Sequence, residues 1–377
     1  MEKKTWRMRA IRASVYGAVV LLAVALLYVG YKAAVAGLPA PDAGGAPAAE
    51  SVVTKIVSRT EEQTVFEAEA RGGETVTATQ DTSEHYLTGA REAEVGDRVI
   101  VTRTGDGWVF VDYVRIYGVL ILGGVFAALL LAFGRFKGVG ALLSLGLTGA
   151  AVFAVFLPAF LSGKNIYAYA IAVCVFSTVF TLSIVSGMSR KTLAAIGGCV
   201  GGVLVACLLT LLMNSVLHIT GVISEDTMYL ATLPTGAPVD MKAVVFAGTA
   251  IGAVGAVMDV AMSVSSALWE LKRNASHIRF GGLFKSGMNI GRDIMGTMTN
   301  TLVLAYIGNS LSILLLLVVY INSFTELFNN GSVIVELLQS IVGSFGILAA
   351  MPLTTLICAL LYQNLRVPAA EGGGARE

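Results

Sequence analysis

The sequence predicts an α-helical polytopic membrane protein of about eight spans with a small extracytoplasmic all-β domain, an OB-like or SH3-like barrel. Three observations predict it. Of 377 residues, 55% are hydrophobic and only 14% charged, against about 25% charged in a soluble domain. Apolar runs of about 20 residues, the length that crosses a bilayer, recur along the chain. Between them lies one stretch, 51–114, whose side chains alternate with a period of two. The net charge of +1 argues against nucleic acid as a partner and leaves the lipid bilayer as the principal one.

The first 12 residues carry Lys3, Lys4, Arg7, Arg9 and Arg12 ahead of an apolar run from about Ala13 to Val35. That run is longer than a signal-peptide core and APDAGGAPAAE beyond it is a poor cleavage site, so residues 1–37 read as a cytoplasmic tail and first transmembrane helix. Residues 38–50 are a Pro/Gly/Ala linker. The β domain follows over 51–114, with TKIVSRT, QTVFEAEA, ETVTATQ, DRVIVTR and GWVFVDYVR as its strands. GDRVIVTR and GWVFVDYV, separated by TGD, predict a hairpin. Residues 115–364 form a seven-helix core, with spans near 116–134, 138–160, 166–187, 192–214, 242–264, 296–320 and 338–362, and 365–377 a cytoplasmic tail.

Lys and Arg orient the spans, because cytoplasmic loops retain them. With the N-terminus inside, the inner segments hold Arg135, Lys137, Arg190, Lys191, Lys272, Arg273, Arg279, Lys285 and Arg292, whereas the short outer loops hold only Lys164 and Lys242. The expectation is a bacterial plasma-membrane protein with both termini cytoplasmic and the β domain outside. Cys174, Cys199, Cys207 and Cys358 all fall in apolar runs without CxxC spacing, so they read as buried free thiols.

The stretch 248–310 carries the candidate site. Asp259 lies inside the sixth span, where a carboxylate costs roughly 2.5–3.5 kcal/mol on insertion scales. Ser263 and Ser266 follow it at helical spacing on the same face. In the seventh span Asp293, Thr297 and Asn300 repeat at four and three. Counting 1.5 Å per residue from Ala243 sets Asp259 roughly 24 Å down, and the two polar stripes come to similar depth if their helices are neighbours. A carboxylate with hydroxyl and amide oxygens can hold a hard cation or carry a proton. The alternative is a buried Asp satisfied by a neighbouring helix and setting its register.

The small-residue stripes Gly197–Gly201, Gly198–Gly202 and Gly248–Gly252–Ala256 predict close helix packing and admit a homo-oligomer or a membrane hetero-partner. Pro352 predicts a kink, with Thr354 and Thr355 able to bond back along the helix. No Walker loop, HExxH or GxSxG occurs, and no nucleophile–base pair can be picked out, so the chain reads as a non-enzyme that needs no cofactor or metal.

The blocks GAVGAVMDVAMSVSSALWEL and GRDIMGTMTNTLVLAYIGNSL resemble the YibE/F family of bacterial membrane proteins, a likeness extending over roughly 50–362. The resemblance implies the topology above and a permease description, without a substrate or mechanism to carry over. The expected function is therefore a permease or secondary transporter with Asp259 as proton or cation site. The alternative is a non-transporting assembly subunit whose β domain binds an envelope partner.

Overall fold

The structure, a computed structural model, describes residues 2–36, 48–70, 72–83, 91–105, 107–223, 225–232, 239–321 and 323–363, with side chains from residue 14. The chain divides into two units, one of residues 39–133 and one of residues 1–38 with 134–377.

The smaller unit is a closed five-stranded barrel followed by a helix. Strands β1 (Ala49–Arg59), β2 (Gln63–Ala70), β3 (Thr75–Asp81), β4 (Arg98–Thr104) and β5 (Gly107–Tyr113) close in the order β1-β2-β3-β5-β4. All neighbours are antiparallel except β3 and β5. The expected hairpin is β4–β5, turning at Gly105, whose φ of 60° suits a residue without Cβ. Alternation does the folding: Val53, Phe66, Ala68, Val76, Ala78, Val99 and Val101 point inward to one core. Helix α2 (Ile116–Gly134) follows, and none of its residues is buried.

The larger unit is helical: α1 (Glu2–Val35), α3 (Phe136–Leu161, with one π turn at Ala151–Phe156), α4 (Ile166–Ser186), α5 (Arg190–Val216), α6 (Glu225–Thr232), α7 (Met241–Asn274), α8 (Phe280–Asn309), α9 (Leu311–Tyr320), α10 (Phe324–Asn329) and α11 (Gly331–Tyr362). Among the described residues, four helices start on side-chain caps that satisfy otherwise orphaned backbone N–H groups. Asn165 caps α4, Ser189 caps α5, Asp240 caps α7 and Asn330 caps α11. Among the described residues seven helices are long and apolar enough to cross a bilayer, or eight if the bent pair α8–α9 counts as one span.

The core is α5, α7, α8 and α11, with α4 against α5 and α7. Glycine makes it possible. A Cβ on Gly202 of α5 would sit 2.6 Å from the Gly346 carbonyl oxygen of α11, and one on Gly287 of α8 would sit 2.6 Å from Thr355 Cγ2. Where hydrocarbon surrounds a bundle, such backbone proximity and its dispersion contacts replace the hydrophobic effect as the cohesive term. One end of the bundle is stitched together by polar bonds. Ser265 donates to the Lys191 carbonyl at 2.6 Å and accepts from the Tyr362 hydroxyl at 3.1 Å, so α5, α7 and α11 meet at one side chain. Lys272, only 2% exposed, donates to the carbonyls of Ser276 and Ile278 at 2.7 and 2.8 Å, and to that of Gln363 at 3.5 Å.

Three expectations need correction. The basic stretch after the sixth span is not a long loop: α7 runs on to Asn274, α8 begins at Phe280, and only 275–279 separate them. Lys and Arg are good helix formers, so charge does not mark the helix ends. The seventh span is not a straight 296–320 helix, since α8 and α9 meet at Ser310 with a 61° bend. Gly308, Asn309 and Ser310 are weak helix formers side by side at that point. Thr354 and Thr355 do not bond back; their buried hydroxyls make no hydrogen bond, because each residue is pressed onto a glycine, Gly198 and Gly287 respectively. α11 stays helical through Pro352. The four cysteines are buried and unpaired.

Candidate functional site

Helix α7 has two unlike faces. Val257, Val260, Ala261, Val264 and Leu268 are fully buried in the helical core. Gly248, Gly252, Gly255, Asp259 and Ser263 are spaced four, three, four and four, which lines them along the opposite side. Asp259 and Ser263 are exposed and Ser266, one turn further, is half-buried. Among the described residues none of these three makes a hydrogen bond or ion pair. Among the described residues, no helix covers the seam on which this carboxylate stands. Its margins are Met262, whose sulfur accepts from Ser186 of α4 at 3.6 Å, and Tyr306 of α8, whose hydroxyl lies against Gly252.

The second polar stripe reaches the same depth but faces elsewhere. Gly252 lies against Tyr306, and Leu268 against Gly287, which fixes an antiparallel register between α7 and α8. That register brings Asp259 level with the turn of α8 containing Thr297 and Asn300. Yet α8 turns Gly287, Gly291 and Leu302 toward α11, and at about 100° per residue Thr297 is roughly half a turn from Tyr306. The Thr297 hydroxyl donates to the Ile294 carbonyl at 2.9 Å, Asn300 and Asp293 are exposed, and Arg292 bonds Asn289 at 3.3 Å rather than Asp293. Within one chain Asp259, Ser263 and Ser266 share a face, Asp293, Thr297 and Asn300 share another, and the two faces do not meet.

Sequence reasoning missed a third group. Glu336 and Gln339, three apart on α11, share a face, and Gln339 Nε2 would lie 3.3 Å from a Cβ on Gly248. Tyr306 reaches the same glycine seam one turn further along. Glu336 Oε2 and Tyr306 Oη are both buried without a hydrogen-bond partner. Glu336 was legible as a carboxylate in the apolar run VIVELLQSIVGSF, but a span taken to begin at 338 leaves it in the outer loop. The helix begins at Gly331 instead, capped by Asn330.

Residues 122–364 match the family described as YibE/F-like protein. The chain belongs to the YibE/F-like family. The match opens within α2 and closes just past α11, so it takes in Asp259, the α8 stripe and Glu336. It leaves the barrel out, a narrower extent than the 50–362 expected from the sequence blocks. Comparison of this YibE/F-like chain with curated proteins and with solved structures gives no match.

Proposed function

We propose that this YibE/F-like protein is a permease of the bacterial plasma membrane that moves its substrate with a proton or cation, Asp259 being the group that carries the charge. One observation supports the reading. Asp259 lies within a helix long and apolar enough to cross a bilayer, unpaired, on a glycine-lined seam left open between α4 and α8. A carboxylate that merely set helix register would be expected to hold a partner, since an unpaired charge in hydrocarbon costs several kcal/mol. Ser263 and Ser266 add neutral oxygens on the same face. Both termini lie in the cytoplasm and the barrel outside, as the Lys/Arg asymmetry directs. Protein reconstituted with pyranine trapped in the liposome should relax an imposed pH step faster than empty liposomes, and Asp259→Asn should slow it to their rate. Unchanged relaxation in the mutant sinks the proposal.

A second reading is an assembly subunit. It is favoured by α2, which follows the barrel directly and buries none of its residues. A long apolar helix suits a membrane partner, and the barrel would bind an envelope component. Deletion of 50–113 separates the readings: proton flux that survives while a native complex dissolves supports the subunit.

A further inference from the structure

We propose that a cavity between α1 and the turn joining α4 to α5 binds a phosphate group of net negative charge, supplied by the headgroup of an anionic phospholipid. The cavity has a volume of about 580 Å³. Four hydroxyls line it: Tyr16 from α1, Ser183 and Ser186 from α4, and Ser189 from the turn. Two are spent within the protein, since Ser186 donates to the Met262 sulfur at 3.6 Å and Ser189 caps α5. Among the described residues neither Tyr16 nor Ser183 makes a side-chain hydrogen bond. Ser183 is the telling one, because it is only 4% exposed. Buried hydroxyls elsewhere in these helices bond back to the carbonyl four residues earlier, as Thr178 does to Cys174 at 2.8 Å and Thr210 to Ala206 at 2.9 Å. Ser183 does not, and it lines the cavity instead. A buried donor without an acceptor is costly, and an acceptor in the cavity removes that cost.

The charge at this end of the bundle has one sign. Ser189 is followed by Arg190 and Lys191, which open α5, and the N–H groups and dipole of a helix start favour anions. A Cβ on Gly140 of α3 would lie 3.2 Å from the Tyr16 hydroxyl, so α3 also opens here, with Lys137 three residues earlier. Among the described residues none of these three cations is in an ion pair. No Asp or Glu occurs in 14–35, 136–161 or 166–216. An ammonium-bearing headgroup would find no counter-charge on these helices, which favours an anionic phosphodiester over a zwitterion.

Depth assigns the source of the phosphate. The apolar spans of α1 and α4 end at Ser14 and Ser186, and that of α5 begins at Arg190. Basic pockets between helices at span ends meet lipid headgroups. Val15, Val19 and Met188 add an apolar wall suited to the glycerol and the first acyl carbons. None of this involves Asp259, so the site stands or falls apart from the transport reading.

The test is the thermal midpoint of the full chain in detergent, titrated with phosphatidylglycerol, phosphatidylcholine or inorganic phosphate. Phosphatidylglycerol should raise it saturably, and phosphatidylcholine should not. Ser183→Ala, Tyr16→Phe and Arg190→Gln should each weaken the apparent affinity for phosphatidylglycerol about tenfold, the effect of losing one bond to a charged group. Lys285→Gln, which removes an exposed cation of α8 that does not line the cavity, should leave it unchanged. If Ser183→Ala does not fold, the other two variants carry the test. A shift with inorganic phosphate alone, weakened by the same variants, upholds the phosphate site and overturns the lipid as its source. Equal weakening by Lys285→Gln means diffuse attraction to a basic surface and overturns the site. Equal stabilisation by the two lipids, or no shift with either source of phosphate, overturns it as well.

Discussion

Gly198 of α5 lies directly against Thr354 of α11, so closely that a Cβ on the glycine would overlap the threonine hydroxyl. Backbone rather than side chain is what faces α11 there. Gly198→Ala should therefore destabilise the protein by about 1–3 kcal/mol through overpacking. Gly149→Ala is the control, since open space surrounds Gly149 and the gain in helix propensity should be neutral to stabilising by up to about 1 kcal/mol. Thermal unfolding of the two variants in detergent checks the contrast.

Lys272 spends its ammonium on the carbonyls of Ser276, Ile278 and Gln363. Lys272→Met keeps the packing volume but strands acceptors at the turn between α7 and α8 and at the end of α11. The expected cost is about 3 kcal/mol, from charged hydrogen bonds lost inside the protein. Lys272→Arg should not restore stability, because a planar fork cannot replace a compact three-donor head. Protease sensitivity at 275–279 is the complementary readout.

Asp259 and Asn300 match in depth and differ in direction. Their substitutions should accordingly act independently within one chain. The double variant Asp259→Asn/Asn300→Ala should show a change in unfolding free energy in detergent equal to the sum of the single changes, to within about 0.5 kcal/mol. Coupling well beyond that would mean that the two stripes meet, either in another conformation or across two copies of the chain.

Tyr113 donates to the Arg91 carbonyl at 2.6 Å in the barrel, and burial pushes its phenol above the ordinary value of 10.0. For an acid whose folded pKa is raised, the stabilisation is fully present below the unfolded value. It is lost as pH rises from about 10 through the folded pKa. The absorbance step missing in Tyr113→Phe should lie above pH 10, and the variant's stability should fall less steeply over that range.

The sequence was most readable where periodicity was imposed by surroundings. The barrel strands alternate because one face packs on Phe66, Val99 and Val101, and that face is visible as a period of two. The long helices appear as apolar runs for the same reason. Their ends were less readable, because Lys272, Arg273 and Lys285 continue a helix as readily as they decorate a loop. Within the candidate site, Asp259, Ser263 and Ser266 were placed on one face by spacing alone. Which face of α8 meets α7 could not be read that way, since it depends on which glycines α11 occupies. Glu336 was lost to a boundary error of a few residues, and Tyr306 to the ordinary appearance of a tyrosine in an apolar run.

The single hydroxyl of Ser265 joins α5 and α11 to α7 at one end of the bundle. Three rods fastened at one end behave as forceps. Any tilt among them that spares this fastening has its pivot there and its widest travel at the opposite tips, where Gly248 faces Gln339. The jaws of the bundle are thus at the end that holds Glu336, and the rivet is at the other.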